Sequence, residues 1–72
     1  MFIVIELQTN ENDQTANIVT AYADRAPAES KFHAILSAAA TSQVPIHAAV
    51  MLDERGNLEK NEFYRHDTQL ND

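Results

Sequence analysis

Two short stretches decide the fold of this 72-residue chain: Phe2-Ile3-Val4-Ile5 and Ile46-His47-Ala48-Ala49-Val50-Met51-Leu52. Side chains in a β-strand alternate between the two faces of a sheet, and both stretches are apolar on odd and even positions. Strands with this pattern need cover on both faces. The chain offers one helix, which can cover one face, so the sequence predicts that another molecule covers the second.

The helix is predicted at 27–41. Pro27 suits a first helical turn, where its missing amide hydrogen would have no partner, and Glu29 favours the positive end of the helix dipole. Asp24 is a candidate cap near the helix start. Apolar side chains at spacings of three and four form one stripe that we expect to pack on the sheet: Ala28, Phe32, Ile35, Leu36 and Ala39.

Four strands are predicted, at Phe2–Thr9, 15–23, 45–52 and Leu58–Arg65, which gives the order ββαββ. Asp53-Glu54-Arg55-Gly56 has the pattern of a type I turn closed by a glycine bulge. Such a hairpin is expected to place Asp53 opposite Asn57, Leu52 opposite Leu58 and His47 opposite Phe63.

The first and third strands are the most apolar, so they belong in the centre of the sheet. This favours an α+β fold with an antiparallel sheet in the order 2-1-3-4. The orders 1-2-3-4 and 2-1-4-3 remain open, although each puts a more polar strand in the centre. We expect one domain at 1–66, and a polar C-terminal tail at 67–72 that frays.

The two sheet faces receive different assignments. The face predicted to hold the helix consists of Ile3, Ile5, Ile18, Ile46, Val50 and Leu52. The opposite face is predicted to be open and to form an interface, with Phe2, Val4, Val19, Ala21, His47, Ala49, Met51 and Phe63 as its residues. A patch of several hundred Å² of this kind typically marks an association site.

Charge excludes some partners. Eleven acidic residues against five basic ones give a net charge of −6, which repels the phosphates of nucleic acids and of anionic membranes. The N-terminus has no signal-peptide pattern, and no stretch is long and apolar enough for a membrane span. The chain has no cysteine, which fits a reducing compartment. We therefore expect a cytoplasmic protein that binds neither nucleic acid nor membrane.

Catalytic patterns are missing from the sequence. His33, His47 and His66 share no metal-ligand spacing, and the single glycine, Gly56, excludes a phosphate-binding loop. The acidic residues of the two predicted turns lie at opposite ends of the sheet, so they cannot form an acid–base pair. The sequence predicts a protein that is not an enzyme, with no catalytic residue, no cofactor and no metal.

Two functions remain as hypotheses. The first is a small acidic interaction protein that self-assembles through its open sheet face, most simply as a dimer, and is able to dock on or inhibit a larger, unidentified partner protein. The second is a small-molecule-binding module whose pocket forms at the subunit interface around His47, with Phe2, Val4, Met51 and Phe63 as further lining residues.

Overall fold

The computed structural model describes residues 1–66. Its elements are β1 (Phe2–Thr9), β2 (Thr15–Tyr22), α1 (Arg25–Thr41), β3 (Ile46–Asp53) and β4 (Leu58–Arg65). All neighbouring strands are antiparallel, in the order β2-β1-β3-β4, and α1 lies on one face. The predicted α+β class and the favoured strand order are confirmed. The predicted tail at 67–72 lies outside the described residues.

The helix begins two residues before the predicted start. Asp24 has extended backbone geometry and occupies the capping position, but its side chain makes no capping hydrogen bond. Pro27 is consequently the third helical residue, which is still within the first turn, where amide hydrogens have no partner in the helix. The end at Thr41 agrees with the prediction, and the amide of Ser42 closes the last turn on the carbonyl of Ala39 at 3.2 Å.

The β3–β4 hairpin has the predicted turn. Gly56 has a φ of 84°, its amide donates to the Asp53 carbonyl at 3.0 Å, and the Asp53 amide donates to the Asn57 carbonyl at 3.0 Å. The Asp53 carboxylate accepts hydrogen bonds from the amides of Asn57 and Arg55. The backbone amide of Asn57 lowers the pKa of Asp53 most, and the side-chain amide of Asn57 and the backbone amide of Arg55 lower it further. Together these bonds hold the turn closed.

The register of β3 with β4 differs from the prediction beyond the turn. Leu52 pairs with Leu58 as expected, but Met51 pairs with Lys60, and His47 therefore lies opposite Tyr64 rather than Phe63. The cause is a β-bulge at Glu59, an extra residue that shifts every later pair by one position. Glu59 and Lys60 both reach the helix side, where Glu59 pairs with Arg25 at 2.9 Å.

The face covered by the helix is not the predicted one. β2 and β3 run parallel, so α1 forms a crossover connection between them, and such connections are almost always right-handed. The amide of Asp53 and the carbonyl of Pro45 bond toward β4, so odd-numbered residues of β3 point their backbone groups that way. In L-residues, the side to which the N–H and C=O groups point determines the face on which the side chain lies. For β3, a right-handed connection puts the helix over the face of the odd-numbered side chains.

The core agrees with this geometry. Val4, Ala49 and Met51 are buried against the helix, and none is more than 1% exposed. The predicted stripe of the helix is confirmed, since Ala28, Phe32, Ile35 and Ala39 are buried and Leu36 packs against them. The predicted helix-facing set was wrong for Ile3, Ile5, Ile46, Val50 and Leu52, whose side chains point to the other face. Ile18 does lie on the helix side, but it is 54% exposed.

Candidate functional site

The structure divides the predicted interface residues between the two faces of the sheet. Val4, Ala49 and Met51 belong to the core, His47 lies beneath the helix at 4% exposure, and Phe2 is on that side as well. These five assignments to the open face were wrong, because the hand of the β2–α1–β3 connection puts their side chains under α1. The remaining three, which are Val19, Ala21 and Phe63, do lie on the face that the helix leaves uncovered.

We call this face the open face. In an antiparallel sheet, directly opposed residues share a face, so the pairing of the four strands defines its members. Its apolar residues are Ile3, Ile5 and Leu7 of β1, Val19 and Ala21 of β2, Ile46, Ala48, Val50 and Leu52 of β3, and Leu58 and Phe63 of β4. Ile5 and Val50, a directly paired couple at its centre, are half-buried, whereas Val19 and Phe63 nearer the edges are more than half exposed.

The polar members of the open face lie mainly toward its margins. They are Thr9, Thr15, Asn17, Asn61 and Arg65. None of the acidic residues in the strands points to this face, because Glu6, Asp53, Glu59 and Glu62 are on the helix side. The other acidic residues of 1–66 lie in the connections between strands, just before α1 or on α1. An acidic protein thus has a sheet face that is free of negative charge within the described chain.

A buried polar network lies under the helix. His47 Nε2 donates to Glu6 Oε2 at 2.6 Å, and the side-chain amide of Gln8 donates to the same oxygen at 3.0 Å. The other ring nitrogen of His47, Nδ1, is buried and has no hydrogen-bond partner. Burial raises the pKa of Glu6, but the bonds from His47 and Gln8 and the nearby charges of His47 and Lys31 lower it by more, so the net shift is downward.

The pH dependence of stability is expected to depend on Glu6. Because its pKa is lower in the folded chain than in the unfolded chain, the carboxylate stabilises the fold above the unfolded pKa of about 4.3, and this contribution is lost as pH falls through the folded pKa. Glu6→Gln should therefore be less stable than the wild type at pH 6, with a difference that shrinks toward pH 3.

Chemical denaturation at several pH values measures this difference. Glu62→Gln is the matched control, since Glu6 and Glu62 flank Ala49 on the same face and Glu62 is exposed. For the control we expect a stability that differs little from that of the wild type at every pH. If the curve for Glu6→Gln runs parallel to the wild-type curve down to pH 3, the network does not stabilise the ionised carboxylate.

The pair of Glu6 and His47 combines two groups that are common in catalysis, but access to it is restricted. The His47 side chain is 5% exposed and that of Glu6 is 15% exposed, with α1 above them and the sheet below. A pocket at the open face cannot include His47, because the sheet separates the two. The predicted set of lining residues for a subunit-interface pocket was therefore wrong, because His47 and Phe63 lie on opposite faces of the sheet.

The other two histidines lie apart from this network. His33 is exposed on the helix, with its ring against the edge of Phe32, and His66 contacts the carbonyl of Ala39 at 2.9 Å. Within residues 1–66, no group of three or more histidine and carboxylate side chains is arranged to hold a metal ion. An open cavity of about 440 Å³ lies between the β1–β2 hairpin and the α1–β3 connection, and it is lined by Gln8, Asn10, Glu11, Gln14, Ala16, Gln43, Val44 and Pro45.

Sequence reasoning missed the Glu6–His47 pair, although a signal was present. Glu6 interrupts the alternation begun by Phe2 and Val4, and His47 interrupts that of Ala49 and Met51. Two polar residues in otherwise apolar positions of neighbouring strands indicate a buried pair, since isolated buried polar groups are costly. The assignment of His47 to the wrong face hid this relation.

In the described part of the chain, no helix combines the length and apolar character that crossing a bilayer requires. No protein-family model matches this chain, and neither the curated proteins nor the solved structures include a significant match to it. The function is therefore inferred from the open face and from the chemistry of its residues.

Proposed function

We propose that the protein is a small non-enzymatic interaction module that self-assembles through the open face. The observation that supports this most directly is the apolar surface formed by all four strands, with Ile5 and Val50 at its centre. Patches of this size on a folded monomer typically mark association sites. Two acidic copies can meet there, because the carboxylates of residues 1–66 lie elsewhere.

The size of the open face fits a dimer. Four strands of eight residues, with a rise of about 3.4 Å and a spacing of about 4.8 Å, span about 27 Å by 19 Å. This is about 500 Å² per copy and about 1,000 Å² for two copies, at the lower limit for a specific interface. A two-fold interface uses the same surface on both copies, so one face serves both.

The small core also supports association. Within residues 1–66, the hydrophobic residues that one copy buries by itself are Val4, Ala28, Phe32, Ile35, Ala39, Ala49 and Met51, and three of these are alanines. A chain of this length buries only about 60% of its unfolded surface, which leaves a monomer marginally stable. Covering the open face with a second copy adds apolar burial on the opposite side of the same sheet.

Sedimentation equilibrium at micromolar concentration tests this proposal. The wild type should have at least twice the 8.1 kDa mass of one chain, and Ile5→Glu should lower the mass by half or more, because it places a charge at the centre of the interface. Ala34→Glu, the same charge change on an exposed helix residue, should leave the mass unchanged.

A folded wild-type monomer with an ordered open face would contradict self-assembly. That result would favour the docking of a larger partner protein on the same residues. A mass that falls equally for Ile5→Glu and Ala34→Glu would indicate general charge repulsion rather than an interface at the open face.

A further inference from the structure

The outer edge of β2 differs from the outer edge of β4 in charge. β2 contains eight residues, Thr-Ala-Asn-Ile-Val-Thr-Ala-Tyr, with no charged residue and no proline, whereas β4 carries Glu59, Lys60, Glu62 and Arg65. Charged residues and proline are the usual protection of an edge strand against pairing with another chain. Within residues 1–66, no strand pairs with the outer edge of β2, and most of its side chains are exposed.

The hydrogen-bond pattern identifies the backbone groups on this edge. Odd-numbered residues of β3 bond toward β4, so its even-numbered residues bond toward β1, where Ala48 and Val50 face Leu7 and Ile5. Even-numbered residues of β1 then bond toward β2, and the bond from the Asn10 amide to the Gln14 carbonyl at 2.9 Å follows the same alternation. The outward N–H and C=O groups of β2 therefore belong to Thr15, Asn17, Val19 and Ala21.

We propose that a second copy of the chain pairs with this edge, β2 against β2 and antiparallel, to form a continuous eight-stranded sheet. A two-fold axis perpendicular to the sheet through Ile18 places Thr15 opposite Ala21 of the second copy and Asn17 opposite Val19. Each such pair exchanges two hydrogen bonds. In this register, the four outward N–H and four outward C=O groups of each copy all have partners.

The side chains fit this register. Ile18, which is 54% exposed on the helix side, meets its own copy across the axis and gains an apolar partner. Ala16 lies opposite Thr20 of the second copy, and both are small, uncharged residues. The helix lies mainly over β1 and β3, so it leaves the outer side of β2 accessible.

This interface is separate from the one at the open face, because it uses a strand edge rather than a sheet face. Its two-fold axis is perpendicular to the sheet, whereas a face-to-face dimer has its axis in the plane between two sheets. Where two such axes intersect at right angles, they combine into a closed tetramer. Either interface can exist without the other, and their tests are independent.

Single cysteines test the register, since the chain has no cysteine of its own. Ile18→Cys places two thiols opposite each other at a non-hydrogen-bonded pair, where Cα atoms are about 4.5 Å apart, within the range of a disulfide. Mild oxidation with diamide should give a disulfide-linked dimer on a non-reducing gel. Ala16→Cys, on the same face of the same strand, separates its two thiols by four residues, or about 14 Å, and should give none.

An equimolar mixture of Ala16→Cys and Thr20→Cys should restore the disulfide as a mixed dimer, since these positions are opposite in the proposed register. The Ile18→Cys dimer should also form in the Val50→Glu background, which separates this interface from the open face. No disulfide from Ile18→Cys, or equal yields from Ile18→Cys and Ala16→Cys alone, would overturn the proposal. The second result would indicate random collisions.

Discussion

Phe32→Ala is expected to lower the free energy of unfolding by about 3–5 kcal/mol. The ring is 4% exposed and packs with Val4, Ile35 and Met51 in the core between helix and sheet. Removing it leaves a cavity that alanine cannot fill, because the structure around such a cavity relaxes only in part. Domains of this size have about 4–11 kcal/mol of stability, so the loss takes a large part of the total.

Chemical denaturation at one fixed protein concentration measures this loss, because association makes stability depend on concentration. Ser37→Ala, at an exposed position of the same helix, is the control and should change stability by less than about 0.5 kcal/mol. A loss below about 1 kcal/mol for Phe32→Ala would mean that the helix packs on the sheet through another side.

Met51→Glu is expected to destabilise the fold, whereas Val50→Glu, at the adjacent residue, is expected to dissociate the assembly and leave the chain folded. Met51 is 0% exposed beneath α1, so a carboxylate there is cut off from water, and its cross-strand neighbour Lys60 already lies 3.5 Å from the Glu29 carboxylate. The change should therefore cost at least about 3 kcal/mol of stability. Val50 lies on the open face and is half-buried in one copy. A carboxylate at Val50 reaches water once the copies separate, so this variant should fold and dissociate.

Circular dichroism and sedimentation equilibrium on the same samples distinguish these outcomes. Met51→Glu should lose the ellipticity of the folded state at a lower temperature than Val50→Glu, and Val50→Glu should stay folded while its mass falls by half or more. The opposite result, with a folded Met51→Glu and an unfolded Val50→Glu, would mean that the helix covers the other face. If neither variant changes the mass, the open face is not an interface between copies.

Much of the fold could be predicted because its signals are local. The spacing of Phe32, Ile35 and Ala39 determines one apolar stripe on a helix, and the pattern from Asp53 to Gly56 determines the turn that closes the second hairpin. The strand order followed from comparing the polarity of whole strands. Each inference depends on neighbours in sequence or on a simple rule for burial.

The bulge at Glu59 could not be predicted in this way. Leu58, Glu59 and Lys60 have no glycine or proline that would indicate an irregular strand. The bulge is accompanied by two ion pairs with the helix: Arg25 pairs with Glu59, and Lys60 lies 3.5 Å from Glu29. Arg25 and Glu29 belong to the helix, and the position of the helix relative to β4 is a property of the tertiary structure.

The candidate site was predicted in kind, but five of its eight predicted members lie on the other face. An uncovered apolar face was expected and exists, yet its centre is formed by Ile5 and Val50 rather than by Val4 and Met51. The two faces were assigned without regard to the hand of the β2–α1–β3 connection. Strand twist and helix packing make such connections almost always right-handed, and that hand decides which face the helix covers.

The amino-acid sequence by itself determined the four strands, the helix and its apolar stripe, the β3–β4 turn and an excess of apolar surface over what one helix can cover. These properties follow from the periodicity of side chains along the chain and from conformational preferences within a few residues. Only the tertiary structure decided which face the helix covers, and with it the burial of Glu6 with His47 and the exposure of Ile5. The physical reason is the chirality of L-residues. In a strand, the direction of a residue's backbone N–H and C=O groups determines the sheet face on which its side chain lies. Once the turn had set that direction for β3, a right-handed connection could cover only the odd-numbered residues.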